Sequence, residues 1–346
     1  MTRGEILSRL TERDPRRLEA LWAEADATRR ARVGDDVHLR GLAEISNYCV
    51  RGCLYCGLRA GAGGPERYRL TRGEILECAA AAKALGYGTL VMQSGEDPGL
   101  SREFVADVVR EVKGRFGLAV TLSLGERSDE DTLAWREAGA DRYLLRFETS
   151  DPELYAAVHP DLPGKVSDRV AQLLRLRAQG YEIGSGVMVG LPGQTWEILA
   201  GDIALFAELD LDMIGVGPFL PSPRTPLGGA AADALRARAG AEQVPNDEET
   251  VLKVVALTRL ACPAANIPST TALATIDPTQ GREMGLTRGA NVVMPNVTPP
   301  SRRVLYEIYP GKACVTETAE ACSGCLAWRI ARIGRRVGTG PGGRRR

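Results

Sequence analysis

Histidine is nearly absent: the 346 residues hold two, His38 and His159. Neither stands at ligand spacing from a cysteine group, which argues against a zinc centre of the Cys3His kind. No apolar run is long enough to cross a bilayer and no apolar h-region lies near the amino terminus, so the chain is expected to be soluble and cytoplasmic, without a membrane partner. Net charge is missing too. Forty-four Lys and Arg balance 44 Asp and Glu, leaving no overall field to recruit nucleic acid. The local basic runs, Arg29-Arg30-Ala31-Arg32 and Arg344-Arg345-Arg346, read as solvated. A chain of this length buries a core without staples, so its eight cysteines do not read as a disulfide framework. The glycine-rich stretch 184–193 lacks the Gly-Lys-Ser/Thr ending of a phosphate loop, which excludes a nucleoside triphosphatase.

What the chain does carry is EISNYCVRGCLYCGLR at 44–59, with Cys49, Cys53 and Cys56 spaced Cys-x3-Cys-x2-Cys. Zinc sites usually pair Cys-x2-Cys units to reach four ligands, and no local fourth is present. Three thiolates suit a four-iron cluster and leave one iron open to chelate a small molecule and pass it an electron at low potential. The apolar stretch 42–45 runs into Ser46-Asn47, which puts the cysteines just past the carboxyl end of an early strand. Cys78 and Cys262 sit in apolar helical or helix-end contexts and read as inert buried thiols.

From residue 40 to 310 short apolar segments alternate with amphipathic ones, the pattern of an α/β chain with a parallel sheet. Strands are expected at 42–46, 89–93, 119–123, 143–147, 183–189, 213–217, 265–268 and 291–294, and helices at 72–85, 102–115, 129–138, 168–179, 195–209 and 248–260. Eight strands point to a closed (βα)8 TIM-type barrel over 41–310, with a helical extension at 1–40 and a carboxyl-terminal extension at 311–346. The alanine-rich stretch 228–240 reads as an exposed insertion. Such a barrel places chemistry on the loops after its strands. Those ends are polar here: Gln93-Ser94-Gly95-Glu96-Asp97, Thr121 and Ser123 before Gly125-Glu126-Arg127, Arg146 with Glu148, Ser269-Thr270-Thr271, and Met294-Pro295-Asn296 followed by Tyr306 and Tyr309. Strand alternation puts Arg146 and Glu148 on one face, either as a structural ion pair or as ligand-binding groups.

The cysteine loop, with Tyr55 before Cys56, resembles the signature of radical S-adenosylmethionine (SAM) enzymes. More narrowly, CLYCGLR (53–59), VMQSGED (91–97), TLSLGERS (121–128), RYLLRFET (142–149), MVGLPGQT (188–195), IGVGPFLPSPRTPL (214–227), NIPSTTAL (266–273) and GANVVMPN (289–296) together resemble the HydE-type maturases of [FeFe]-hydrogenase. That resemblance implies a radical SAM barrel in which Cys49, Cys53 and Cys56 hold a [4Fe-4S] cluster whose open iron takes the amino and carboxylate groups of SAM. It implies that Ser94, Gly95 and Glu96, together with Gln93, Thr121, Glu148 and Arg169, lie at the cofactor side of the cavity. Arg146, Thr270, Thr271, Met294, Tyr306 and Tyr309 would line the substrate side. Phe147 departs from the histidine that relatives often place there, and by alternation it should point away from the cavity.

The chemistry so implied is reductive cleavage of SAM to a 5′-deoxyadenosyl radical, acting on a cysteine-bound Fe(CO)2CN complex to build a diiron precursor. The substrate would come from a partner maturase and the electron from a low-potential donor. Cys314, Cys322 and Cys325, spaced Cys-x7-Cys-x2-Cys, match a set that some relatives use for a second, auxiliary Fe-S cluster; a peripheral place outside the barrel loops is expected for it. Two other readings stand beside this one: a biotin-synthase-like or methylornithine-synthase-like radical enzyme on the same barrel, and a non-catalytic iron-sulfur or zinc scaffold.

Overall fold

The computed structural model describes residues 1–63 and 66–344; the expectation for Arg345 and Arg346 lies outside them. Two helices, α1 (Arg3–Leu10) and α2 (Pro15–Val33), precede strand β1 (Asp36–Ser46). Then α3 (Arg72–Ala84), β2 (Thr89–Ser94), α4 (Arg102–Glu111), β3 (Ala119–Ser123), α5 (Asp129–Glu137), β4 (Arg142–Leu144), α6 (Pro152–Val158) and α7 (Arg169–Ala178) alternate. The rest is β5 (Glu182–Val189), α8 (Trp196–Glu208), β6 (Met213–Pro218), α9 (Ala230–Ala239), α10 (Glu248–Ala261), α11 (Thr271–Ile276), α12 (Gly281–Thr287), β7 (Val292–Val293), α13 (Pro300–Arg303), α14 (Ala319–Arg332) and β8 (Arg336–Gly338). The helices begin where side chains can take up their free N–H groups. Thr71 and Glu74 form a capping box before α3, and Ser128 caps α5, whose first turn carries Asp129, Glu130 and Asp131 against the helix dipole.

All strand pairs are parallel, in the order β6-β5-β4-β3-β2-β1-β7. The expected seventh strand, 265–268, is not a regular one. It joins its neighbours through single bridges, Met213 to Asn266 and Pro268 to Val292, because Pro268 has no N–H to continue a ladder. Those bridges nevertheless close the ring, with Ile214 N donating to Asn266 O and Ser269 N to Val292 O, both at 2.9 Å. Strand β4 stops at Leu144, short of the expected 147, and β1 starts at Asp36 rather than 42. The core lies between the barrel and its helices. Trp135 of α5 is fully buried there, its indole N–H reaching Arg102 O at 3.0 Å, and burial of such side chains contributes roughly 1.5–3 kcal/mol each.

Two expectations are corrected. In the first basic run Arg30 and Arg32 are exposed as expected, but Arg29 is fully buried, held by Asp26 and Asp35; Arg344 is partly buried and pairs with Asp210 and Asp212. Arg344 anchors a tail that crosses beneath the barrel, where Thr89 Oγ1 and Arg142 Nη2 donate to Pro341 O at 2.9 and 3.0 Å and Arg40 Nη2 to Gly342 O at 2.9 Å. A side chain at Gly88 would collide with Gly340 there. The stretch 228–240 forms α9, largely exposed, but Ala232 seats in a small apolar cluster with Leu154, Val158, Leu191, Phe219 and Leu227, so it is not a free insertion.

Candidate active site

The cysteine loop is built on the end of β1 and pinned from several directions. Ser46 Oγ donates to Asp97 at 2.6 Å, Asn47 Nδ2 donates to Glu66 O and Leu305 O at 2.9 Å, and Tyr68 N donates to Asn47 Oδ1 at 2.7 Å. Val50 N reaches Glu96 O at 3.0 Å, Leu54 N reaches Val158 O and Gly57 N reaches Ile308 O, both at 2.9 Å. Two glycines let the backbone close in. A Cβ on Gly95 would come within 2.7 Å of the Cys49 Cβ, and one on Gly57 would run into the Glu307 carbonyl.

Cys49, Cys53 and Cys56 all line a single cavity of about 350 Å³ at the barrel mouth. Burial raises the pKa of all three, Cys53 and Cys56 to about 12. Thiols held so are poor nucleophiles on their own and become thiolates by trading the proton for a metal. Among the described residues no three Cys, His, Asp or Glu side chains converge on one ion. A four-iron cluster asks for something else, since each thiolate takes its own iron, and three cysteines from one clamped loop fit that need.

Beside the cysteines lies a buried ionic chain. Arg51, 1 % exposed in its side chain, joins Glu96 at 3.0 Å and Glu126 at 2.9 Å; Glu126 also accepts from Arg169 Nε at 3.1 Å and from Ser167 Oγ. Glu126 N donates to Glu96 Oε2 at 3.1 Å, and Gly125, with φ +75°, lies flat against Glu96 where a Cβ would not fit. Ser94 Oγ donates to Gly95 O at 2.6 Å. Arg146 Nη2 donates to Val187 O at 2.7 Å and stands 3.1 Å from Glu148 Oε2. Glu148 itself sits at φ +64°, a conformation that costs a side-chain-bearing residue about 1–3 kcal/mol, and of the kind that gathers at working sites. Phe147 turns away, 5.7 Å from the Phe206 ring in the core.

The opposite wall carries the other expected residues. Thr121 Oγ1 is buried and has no hydrogen-bond partner among the described residues, a group aimed at the cavity. Gln93 Nε2 donates to the Tyr306 hydroxyl at 3.2 Å. Thr270 caps α11, accepting from Leu273 N at 3.3 Å, and Thr271 opens that helix, so both serve the fold as well as the cavity. Met294, Tyr306 and Tyr309 line it too, although the two tyrosines stand on an irregular segment and not on a helix. Burial pushes Tyr309 up to about 12. Thus Gln93 through Glu96, Thr121, Arg146, Glu148, Arg169, Thr270, Thr271, Met294, Tyr306 and Tyr309 share one cavity with the cysteine trio.

Several residues there carried no role in the sequence. Lys312, 8 % exposed in its side chain, pairs with Glu44 at 1 % and lies 5.1 Å over the Tyr306 ring, while Glu44 Oε2 has no hydrogen-bond partner among the described residues. Arg51 lines the cavity too, and Glu126 and His159 stand behind it in contact with Arg169. Arg51 lies between cluster cysteines and Glu126 follows a strand end, which is the only signal the sequence held for them.

The carboxyl-terminal cysteines are arranged otherwise. Cys322 and Cys325 lie on α14, Cys325 exposed, and Cys314 precedes the helix at φ +60°. The Cys322 thiol donates to Cys314 and Arg282 Nη2 stands 3.6 Å from the Cys314 sulfur, which together hold Cys314 below the usual thiol range. None of the three lines the barrel cavity.

Residues 43–215 match the family model of the radical SAM superfamily. The chain is 48 % identical over 95 % of its length, and 89 % of the relative's, to the [FeFe] hydrogenase maturase subunit HydE of Thermotoga maritima. It is 32 % identical, over 80 % of its length and 74 % of the relative's, to a 3-methylornithine synthase of Methanosarcina acetivorans. Among solved structures, methylornithine synthase (PylB) matches with TM-score 0.81 at 26 % identity, covering 97 % of this chain and 94 % of that one. No helix among the described residues is long and apolar enough to cross a membrane.

Proposed function

Because this chain belongs to the radical SAM superfamily and is a radical SAM enzyme homologous to the hydrogenase maturase HydE, we propose that it prepares the diiron subcluster of an [FeFe]-hydrogenase by radical attack on a cysteine-bound Fe(CO)2CN complex. The observation that carries the reading is the single cavity shared by the cysteine trio, the turn after β2 and the polar wall around Thr270. When bound, a [4Fe-4S] cluster on Cys49, Cys53 and Cys56 supplies the electron that cleaves SAM into methionine and a 5′-deoxyadenosyl radical.

The protein's own work is placement and exclusion. Glu96 and the Ser94-Gly95 backbone offer acceptors for the ammonium of SAM; Arg169 offers its fork to the carboxylate. Gln93, Thr121 and Glu148 flank the nucleoside. Arg146, with Thr270 and Thr271, suits the carboxylate of an amino-acid substrate, and Met294, Tyr306 and Tyr309 supply apolar bulk that keeps water from a radical. Residues 41–310 would make the catalytic barrel and 1–40 a helical extension. The segment 311–346 would carry an auxiliary cluster on Cys314, Cys322 and Cys325. A partner maturase would deliver the substrate and a low-potential donor the electron, in a reducing cytoplasm.

The test is anaerobic. Reconstituted, reduced protein is given SAM with and without the cysteine-bound iron complex, and adenosyl products are measured. Strong stimulation with an adenosyl-sulfur adduct supports the reading. Cleavage without stimulation by the complex overturns the substrate and favours a reaction of the methylornithine-synthase or biotin-synthase kind.

A further inference from the structure

His159 is fully buried and its ring stacks on Tyr155, centroids 4.7 Å apart and planes 23° off parallel. It ends α6, its backbone N donating to Tyr155 O at 2.8 Å, and ten residues later Arg169 begins α7. The two ends of this excursion meet side chain to side chain: Arg169 Nη2 lies 2.7 Å from His159 Nε2. Tyr155 in turn meets the Ser167 hydroxyl at 2.7 Å, and Ser167 reaches the same Glu126 oxygen that Arg169 does.

A guanidinium has five donors and no lone pair. In the contact with Arg169, therefore, His159 Nε2 can only accept, which makes the ring neutral and puts its proton on Nδ1. Burial, with Arg169 and Arg51 nearby, pushes His159 down to about 3, so neutrality holds across the physiological range. Among the described residues Arg169 spends three donors, Nε on Glu126 at 3.1 Å, Nη1 on Arg146 O at 2.6 Å and Nη2 on His159. One N–H on each terminal nitrogen is left, and Arg169 lines the cavity. Glu126 on Nε and His159 on Nη2 hold the edge that those two nitrogens share, and Arg146 O holds Nη1 from the other side. Without His159, Nη2 loses its fixed partner, and the planar guanidinium can swing as a unit about the Cδ–Nε bond.

We infer that His159 is the positioning residue for Arg169, its Nε2 lone pair setting the guanidinium in the plane that presents two free N–H groups to the carboxylate of SAM. This rests on the reading that Arg169 binds that carboxylate, and the test separates the two.

The holoenzyme with its cluster, and its His159→Leu, His159→Gln, His159→Asn and Arg169→Lys variants, are compared for SAM dissociation constant, iron content and thermal midpoint. Leucine keeps the bulk and removes the acceptor. Glutamine carries an oxygen to the place of Nε2, and asparagine only to that of Nδ1. We expect His159→Leu and His159→Asn to bind SAM about tenfold more weakly, His159→Gln to stay within about threefold, and KM for SAM to rise while kcat at saturating SAM holds. Arg169→Lys should lose tenfold or more. If Arg169→Lys weakens SAM binding while His159→Leu and His159→Asn do not, the inference is overturned and the role of Arg169 stands. If Arg169→Lys binds SAM normally, both fall together. Should the leucine variant not fold, the glutamine-asparagine contrast decides: equal affinity for the two overturns the positioning role.

Discussion

The two cysteine trios of this chain differ in everything except residue type. The first sits on one loop, clamped by Gly95 and Gly57, buried enough to lift its thiols, and lines the cavity with all three members. The second straddles a loop and a helix, has one exposed member, and contains a sulfur held at low pKa by a neighbouring thiol and an arginine. Spacing alone does not separate a working site from a peripheral one; the surroundings do. Burial with close backbone approach makes a rigid pocket for a cofactor, whereas exposure on α14 leaves room for exchange with solvent.

The widest gap should appear on removing one ligand from each. Cys53→Ser is expected to abolish SAM cleavage and to cost the protein the iron of its barrel site, because the thiolate has no substitute in the loop. Cys325→Ser should leave SAM cleavage near that of the unaltered protein. Iron content and adenosyl products are the measurements, and equal loss in both variants would break the distinction. A step smaller is Gly95→Ala. The added methyl would come within 2.7 Å of Cys49 Cβ and must push the loop aside, which costs about 1–3 kcal/mol by overpacking. A displacement near 1 Å lowers turnover by about a hundredfold. Kinetics at saturating SAM, alongside a thermal midpoint, would separate the two costs.

How much of this was legible in the sequence depends on how local the signal is. The cysteine loop, the polar ends of the strands and the Arg146–Glu148 pair stand in contiguous motifs, and the parallel barrel follows from the alternation of apolar runs. What escaped was set by the fold. Lys312 and Glu44 stand 268 residues apart in the chain, and Arg169, Glu126, Arg51 and His159 meet only because four separate segments converge at the barrel mouth. Arg29 and Arg344 look like surface charges in a basic run; Asp26 and Asp35 are local partners for Arg29, but its full burial, and the meeting of Arg344 with Asp210 and Asp212, are set by the fold. The seventh barrel member lost its ladder to Pro268, a visible residue whose effect depended on its neighbours.

Thiol reactivity offers a subtler contrast. In cluster-free protein Cys314, whose pKa the neighbouring Cys322 thiol and Arg282 lower, should be the more thiolate-like sulfur near neutral pH and be alkylated by iodoacetamide readily, its rate falling as the pH drops and the sulfur takes up a proton. Cys53 and Cys56, at about 12, stay protonated across that range and should be alkylated slowly, speeding up only as the pH climbs toward 12. Peptide mass spectrometry after timed alkylation reads both. Equal labelling of the two trios at pH 7 would mean that the buried loop opens on its own.

The smallest expected effect lies at Gly324, between Cys322 and Cys325 on α14. A Cβ placed there meets nothing within 4 Å, in contrast to Gly95. The glycine is therefore not needed for close approach and carries only its entropic cost inside a helix. Gly324→Ala should stabilise the protein by about 0.5–1 kcal/mol, raise the thermal midpoint by about 1–2 °C, and leave SAM cleavage unchanged. Destabilisation instead would show that the second trio is packed as tightly as the first, with a partner pressed against α14, and the division between a rigid and an open cysteine site would have to be withdrawn.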